Sequence, residues 1–443
     1  MALDKIQKQM LASDVQEKID KVPEISDKIG NLLDKNTQID AQLAERPTHQ
    51  EIGLNPPKIV TLIGCQDDES PTVSNCSWMP DAVNFKYGDR GTKISFVGAV
   101  TATVKYDPLS VDDPVKFSPA SAVGLWIYVK DPALISGFTI EIYLTDTGSQ
   151  KWVRTAQNFT VGWNLFRWPS TTGGIGNWNE AYAIRIIAVT TGATDVTVGH
   201  IWMECPEKAQ ILFIEDGGYT TFLDNGYPDL KQRNIPVTWS IDPAKLGAEG
   251  RITELQVLSL AKENHNDINY HGFDGTPTST MTEAQIRMDC IKSIKWLQHR
   301  GIYEGNLWRS AWVQNTAQNA QAAKSLMLAY ATPKNSSGLT CFPPQDRWDI
   351  ARTSVHGSTQ ETIDLHFANL KKTHQLLVIY THGINDAGGN DATNAQWDYF
   401  ISKIDQGINE GWLEGVTFPQ LLMANGVKLK PTSEDWVKKI FDI

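Results

Sequence analysis

The sequence predicts a multidomain chain of three parts: an N-terminal coiled-coil helix, an all-β antiparallel sandwich, and a β/α barrel on a parallel sheet. Three observations carry this. Apolar residues recur at heptad spacing near the start, short alternating apolar runs without helical patterning follow, and from Ala209 apolar runs alternate with helix signals. A chain of 443 residues exceeds one ordinary core, which fits several units.

Residues 1–50 carry the row Val15, Val22, Ile29, Asn36, Leu43, with Ile25, Leu32 and Ile39 three residues after successive members. This is an a/d stripe whose one polar a residue, Asn36, would fix register and strand number at a cost in stability. The segment reads as a helical oligomerisation stalk; the alternative is a surface helix packed on its own domain. Pro23 divides it into a short leading helix and a main one. "AERPTHQEIGLNPP", Ala44 to Pro57, has no periodicity and three prolines, so it reads as a linker.

In residues 58–206 the runs "KISFVGAVTATVKY", "GLWIYVKD", "GFTIEIYLTD", "WNLFRWP", "AYAIRIIAVTT" and "DVTVGHIWME" are punctuated by Gly, Asp, Asn, Ser and Pro. Short strands at this spacing indicate an antiparallel sandwich. The pattern resembles the jelly-roll modules of carbohydrate-binding type that precede catalytic domains in cell-wall-active and phage tail proteins. Trp152, Trp163, Trp168 and Trp178 are either a sugar platform or core filling.

In residues 209–443 the strand candidates are "ILFIE", "IPVTWSI", "NDINYH", "NLWRSAW", "LTCF", "LLVIYTHG" and "GVTFPQLL". Between them lie helix signals such as "TEAQIRMDCIKSIKWLQHRG", which opens on a Thr282/Gln285 capping box, carries Ile286, Cys290, Ile294 and Leu297 on one face, and stops at Gly301. Units of this β-then-α kind close into a barrel whose reacting groups sit at the carboxyl ends of the strands. Those ends supply Glu215, Asp216 and Tyr219; Asp242; His271 and Asp274; Arg309 and Trp312; His382 and Asp386. Histidines, an arginine and carboxylates on one rim suit general acid–base hydrolysis, with or without a metal. Asp242 and Asp386 read more simply as cap or turn residues, and His49, His200, His265, His299, His356, His366 and His374 as surface or helix-end residues.

Residues Ile211 to about Met423 resemble the polysaccharide deacetylase family of carbohydrate esterases. "FIEDGGYTTFLDNGYPDLKQRNIPVTWSI" is similar to that family's opening stretch, "ENHNDINYHGFDG" to its histidine stretch, "LWRSAW" to its arginine stretch and "LLVIYTHG" to its terminal histidine strand. The resemblance implies a distorted seven-stranded β/α barrel and removal of an acetyl group from an N- or O-acetylated glycan with one zinc-like divalent ion. Carried over residue by residue, Asp216 matches the base, Arg309 the arginine that orients it, His382 the acid and His271 the first metal-binding histidine. Two family ligands are replaced, at Gly217 and Gly275, whereas such sites ordinarily need three protein ligands. Three arrangements follow: His271 with Asp274 and Asp216 as a rearranged metal site; Glu215 and Asp216 as a shifted pair, disfavoured because neighbours on a strand face opposite ways; or no metal, with Asp216, Asp274, His271 and His382 left for acid–base work or for hydrogen bonds to a sugar. Tyr219, Trp308 and Trp312 form the expected glycan-binding rim.

A formal net charge of −11 argues against nucleic acid as partner, and no apolar stretch reaches membrane-spanning length. No secretory signal opens the chain, and the five scattered cysteines suit free buried thiols rather than disulfides. The order of parts resembles a bacteriophage tail or baseplate protein, made in the host cytoplasm and carried on the virion. The expected partners are host cell-wall or capsular polysaccharide, other phage tail proteins and further copies of the chain in a homotrimer. The functional expectation is a barrel that acts on or binds this polysaccharide; a noncatalytic lectin-like receptor-binding protein and a structural tail adaptor are the alternatives.

Overall fold

The computed structural model describes residues 58–424 apart from 65–70, 86–89, 107–114, 117–119, 146, 171–179, 264–265, 303–307, 311–328, 334–338, 343, 345–349 and 387–389. At 279, 308–310, 329–333 and 422–424 it describes the main chain alone. The stalk, the linker, Trp178 and Trp312 therefore lie outside the described residues.

Two antiparallel sheets make the sandwich. One runs in the order Gly162–Pro169, Ala122–Val129, Thr194–Cys205, Gly91–Phe96, Ser77–Asp81, with Lys58–Ile63 also paired to Thr194–Cys205. The other runs Thr72–Ser74, Thr101–Tyr106, Ala183–Thr190, Ile135–Tyr143, Lys151–Ala156. Period-two alternation sends Val123, Leu125, Ile127 and Val129 inward to meet Phe138, Ile140 and Ile142 from the facing sheet. Trp152 and Trp168 belong to this core, edge to face at 6.1 Å, so they supply no sugar platform. Trp163 is half-buried beside Trp126 and Tyr128.

The barrel consists of β1 (Ala209–Gly217), β2 (Val237–Ile241), β3 (Asp267–Tyr270), β4 (Trp308–Ser310), β5 (Ala329–Pro333), β6 (Ile350–Ser354) and β7 (Leu376–Thr381). Each pairs in parallel with the next, and β7 pairs back onto β1, closing seven strands. Leu413–Gly415 adds to the first residues of β1, beyond the stretch that β2 covers, which distorts the ring. All nine residues of β1 are buried, as a strand covered on both faces requires. Ile211 and Phe213 pack into the helix-side core with Trp239, Trp397 and Phe400.

Two expectations change. "LTCF" is not a barrel strand: Leu339–Thr340 is a short antiparallel pair with β7. Its place in the ring is taken by β5 and β6, which sequence reasoning passed over. "GVTFPQLL" divides, with the strand ending at Gly415 and Phe418–Ala424 helical. The helix Glu283–Gln298 forms as its signals predict, with both halves of the Thr282/Gln285 capping box and with Ile286, Cys290, Ile294 and Leu297 buried. Cys76, Cys205, Cys290 and Cys341 form no disulfide among the described residues.

Candidate functional site

The carboxyl ends of β1, β2, β3, β6 and β7 bring one group of polar side chains together. β1 ends in two carboxylates with opposite duties. Glu215 is fully buried and accepts the backbone N–H groups of Gly218 and Tyr219, each at 2.8 Å, which closes the turn after the strand. Burial pushes its carboxyl well above the ordinary value, and Asp216 next to it adds to the rise. Asp216 instead meets Arg352 from β6, whose Nη1 stands 2.8 and 2.7 Å from its two carboxylate oxygens. Burial works against the Asp216 anion, yet Arg352, His271 and His382 outweigh it and hold the pKa at about 2.

His271 follows β3 and is 2% exposed. Its Nε2 lies 4.0 Å from Asp216 Oδ2 and its Nδ1 3.3 Å from Asp242 Oδ1. Asp242, 1% exposed at the end of β2, occupies an N-cap position but makes no side-chain cap hydrogen bond. Its Oδ2 faces Arg251 Nη1 at 3.8 Å and Lys245 Nζ at 4.0 Å. Arg251 lies on the Tyr219 ring, 3.7 Å from its centroid, with Nη2 donating to Tyr219 OH at 2.9 Å and Nη1 to Gly217 O.

The mouth is aromatic. His382 follows β7, with Nδ1 3.2 Å from Asn390 O and its ring edge-on to Tyr219 at 5.9 Å and tilted to His356 at 5.2 Å. Burial lowers the His382 pKa to about 4 despite the opposing pull of Asp216. Burial likewise lowers His356, which packs edge-on to Tyr380 at 5.4 Å. Both imidazoles are neutral at pH 7.

Of the residues singled out from sequence, Asp216, His271, His382 and Tyr219 meet at this rim. Asp274 does not serve as a companion ligand: it is exposed, its Oδ1 accepts the Thr276 N–H at 2.9 Å, and Thr276 holds its carboxyl below the usual value. Asp386 caps Asn394 in the same way. Arg309 stands in register with Tyr270 on β4, its side chain and those of Trp308 and Trp312 lying outside the described residues. Among the described residues, the arginine on Asp216 is Arg352. Asp242 and His356, read from sequence as a cap and a surface residue, belong to the site. The signal for Asp242 was present, since it ends an apolar strand.

The residues do not fit the divalent ion that the resemblance implies. Gly217 and Gly275 hold φ of +108° and +70°, a region that side chains rarely adopt. A Cβ on Gly217 would stand 2.4 Å from Arg251 Nη1, and one on Gly275 2.2 Å from Lys245 Nζ. Among the described residues no three His, Cys, Asp or Glu side chains gather as a metal would need.

No family model matches the chain, and no curated protein does either. Among solved structures, a family 4 acetyl xylan esterase from Clostridium thermocellum, in complex with a cobalt ion, is 11% identical over 51% of this chain and 95% of its own, with TM-score 0.35. A peptidoglycan N-acetylglucosamine deacetylase is 17% identical over 48% of this chain and 88% of its own, with TM-score 0.33. A family 11 carbohydrate-binding module of a Clostridium thermocellum cellulosomal cellulase is 11% identical over 34% of this chain and 96% of its own, with TM-score 0.26. Likeness at this level carries no functional weight by itself.

Proposed function

We propose that the barrel mouth is a glycan-binding site that does not perform metal-assisted deacetylation. The Asp216–Arg352 pair carries this reading. A carboxylate that is 1% exposed, locked to a guanidinium and held at a pKa of about 2 is a weak and inaccessible base. His271, 2% exposed between two carboxylates, is no better placed to reach a substrate. The mouth keeps what sugar recognition uses: the Tyr219 ring backed by Arg251, and the neutral imidazoles of His382 and His356.

Calorimetric titration with N-acetylated oligosaccharides, run beside an acetate assay, tests it. The expected outcome is saturable binding without acetate, weakened at least about tenfold in Tyr219→Ala, which is on the order of 1.4 kcal/mol. Acetate release at turnover rates would restore the hydrolase reading, whereas neither binding nor acetate would remove the glycan altogether.

We also propose that the chain works on a bacteriophage tail appendage that meets host polysaccharide. This rests on the order of parts and on the heptad row from Val15 to Leu43, which would gather two or three copies, three by resemblance to extended phage appendages. Light scattering should give a trimer for the full chain and a monomer once residues 1–50 are removed. A monomeric full chain would end the proposal.

A further inference from the structure

We propose that Arg251 and Lys245 are resident cations that replace a divalent metal, so that the barrel is metal-independent by construction. The inference goes beyond the glycan reading and does not depend on which sugar, if any, the mouth takes. The two positions at which the resemblance implies metal ligands are glycines, and the space beside each is filled by a cation rather than left open. Arg251 Nη1 lies 2.4 Å from where a Cβ on Gly217 would stand, and Lys245 Nζ 2.2 Å from where one on Gly275 would stand.

Both cations converge on Oδ2 of Asp242, whose Oδ1 faces His271. Together they supply the two positive charges of one divalent ion. A carboxylate 1% exposed needs such compensation, because an unpaired buried charge is strongly destabilising. Arg251 is fixed from a third side by its hydrogen bonds to Gly217 O and Tyr219 OH, so its position does not depend on Asp242 alone. Lys245 is held close by chain geometry, three residues from Asp242 across the short helical turn Pro243–Lys245.

Cobalt(II) is the probe, because its visible spectrum and its effect on melting are both readable. The wild-type chain should take up no stoichiometric cobalt in equilibrium dialysis, and its Tm should be unchanged by cobalt, zinc or EDTA. Lys245→Ala and the double variant Arg251→Ala/Lys245→Ala should melt lower, because buried Asp242 loses its counter-charge; adding Asp242→Asn should restore several degrees, and Arg251→Lys, which keeps the charge, should lose least. If the double variant fails to fold, Lys245→Ala and the wild-type dialysis still decide. One cobalt per wild-type chain with ligand-field bands, or folded variants that melt as the wild type does, would overturn the proposal. Neither readout depends on sugar binding, so the two proposals fail separately.

Discussion

Asp216 and Glu215 are adjacent carboxylates on one strand, yet one is an ion-pair partner and the other a turn cap, because strand geometry sends them to opposite faces. The anion of Asp216 survives at 1% exposure chiefly through Arg352, itself 2% exposed and stacked 4.1 Å over the Tyr380 ring. Removing one partner of such a pair strands the other. Arg352→Met should therefore cost about 3–5 kcal/mol in urea unfolding. Adding Asp216→Asn should recover much of the loss, since a neutral amide needs no counter-ion and the two changes share one contact. A Arg352→Met variant within about 0.5 kcal/mol of wild type would show that Asp216 draws its compensation elsewhere.

At the scale of elements, legibility followed the strength of local pattern. The helix Glu283–Gln298 was readable because its cap, its apolar face and its terminal glycine agree with one another. β1 and β7 were readable as apolar runs. β5, "AYATP", and β6, "IARTS", were not: each is short, and β6 places a fully buried arginine where an apolar residue signals a strand. Missing β6 hid Arg352, whereas Arg309, whose side chain lies outside the described residues, was named by motif position. Asp216, His271 and His382 were legible because a parallel barrel brings every strand's carboxyl end to one rim. Asp242 stood among the same strand ends but was read as a cap, since a carboxylate after a strand is as readily one, and its missing cap hydrogen bond separates the two. The cations beside Gly217 and Gly275 come from the 242–252 loop, and no spacing rule links that loop to either glycine.

The molecule as a whole joins its sandwich to its barrel through buried polar contacts. Arg167 binds Glu204 through Nε at 2.7 Å and Phe342 O through Nη2 at 2.8 Å, while Gln375 Nε2 reaches Ser121 O at 3.2 Å and His374 Nδ1 meets Pro206 O at 2.9 Å. Buried imidazoles are spread over both parts: burial lowers the pKa of His200, His356, His366, His374 and His382. Each binds its proton more readily once the chain unfolds, where the pKa returns to about 6.5. Between the lowered values and about 6.5 the unfolded state therefore carries more protons, and stability falls as pH falls, by up to about 1.4 kcal/mol per pH unit for each proton of difference. Asp216 extends the loss below pH 4 in the same direction, because its folded value of about 2 lies under the ordinary aspartate value. The urea midpoint should accordingly drop from pH 7.5 to pH 5, by less than the imidazoles alone would give, because the raised Glu215 carboxyl contributes in the opposite sense. His366 isolates the cause: it is 6% exposed on the helix Gln360–Thr373, with neither ring nitrogen hydrogen-bonded to a described residue. His366→Leu should raise the midpoint more at pH 5 than at pH 7.5, since leucine brings no proton to the unfolded chain. An equal gain at both pH values would assign the effect to packing, and a midpoint flat from pH 7.5 to pH 5 in the wild type would mean that the buried imidazoles do not govern acid stability.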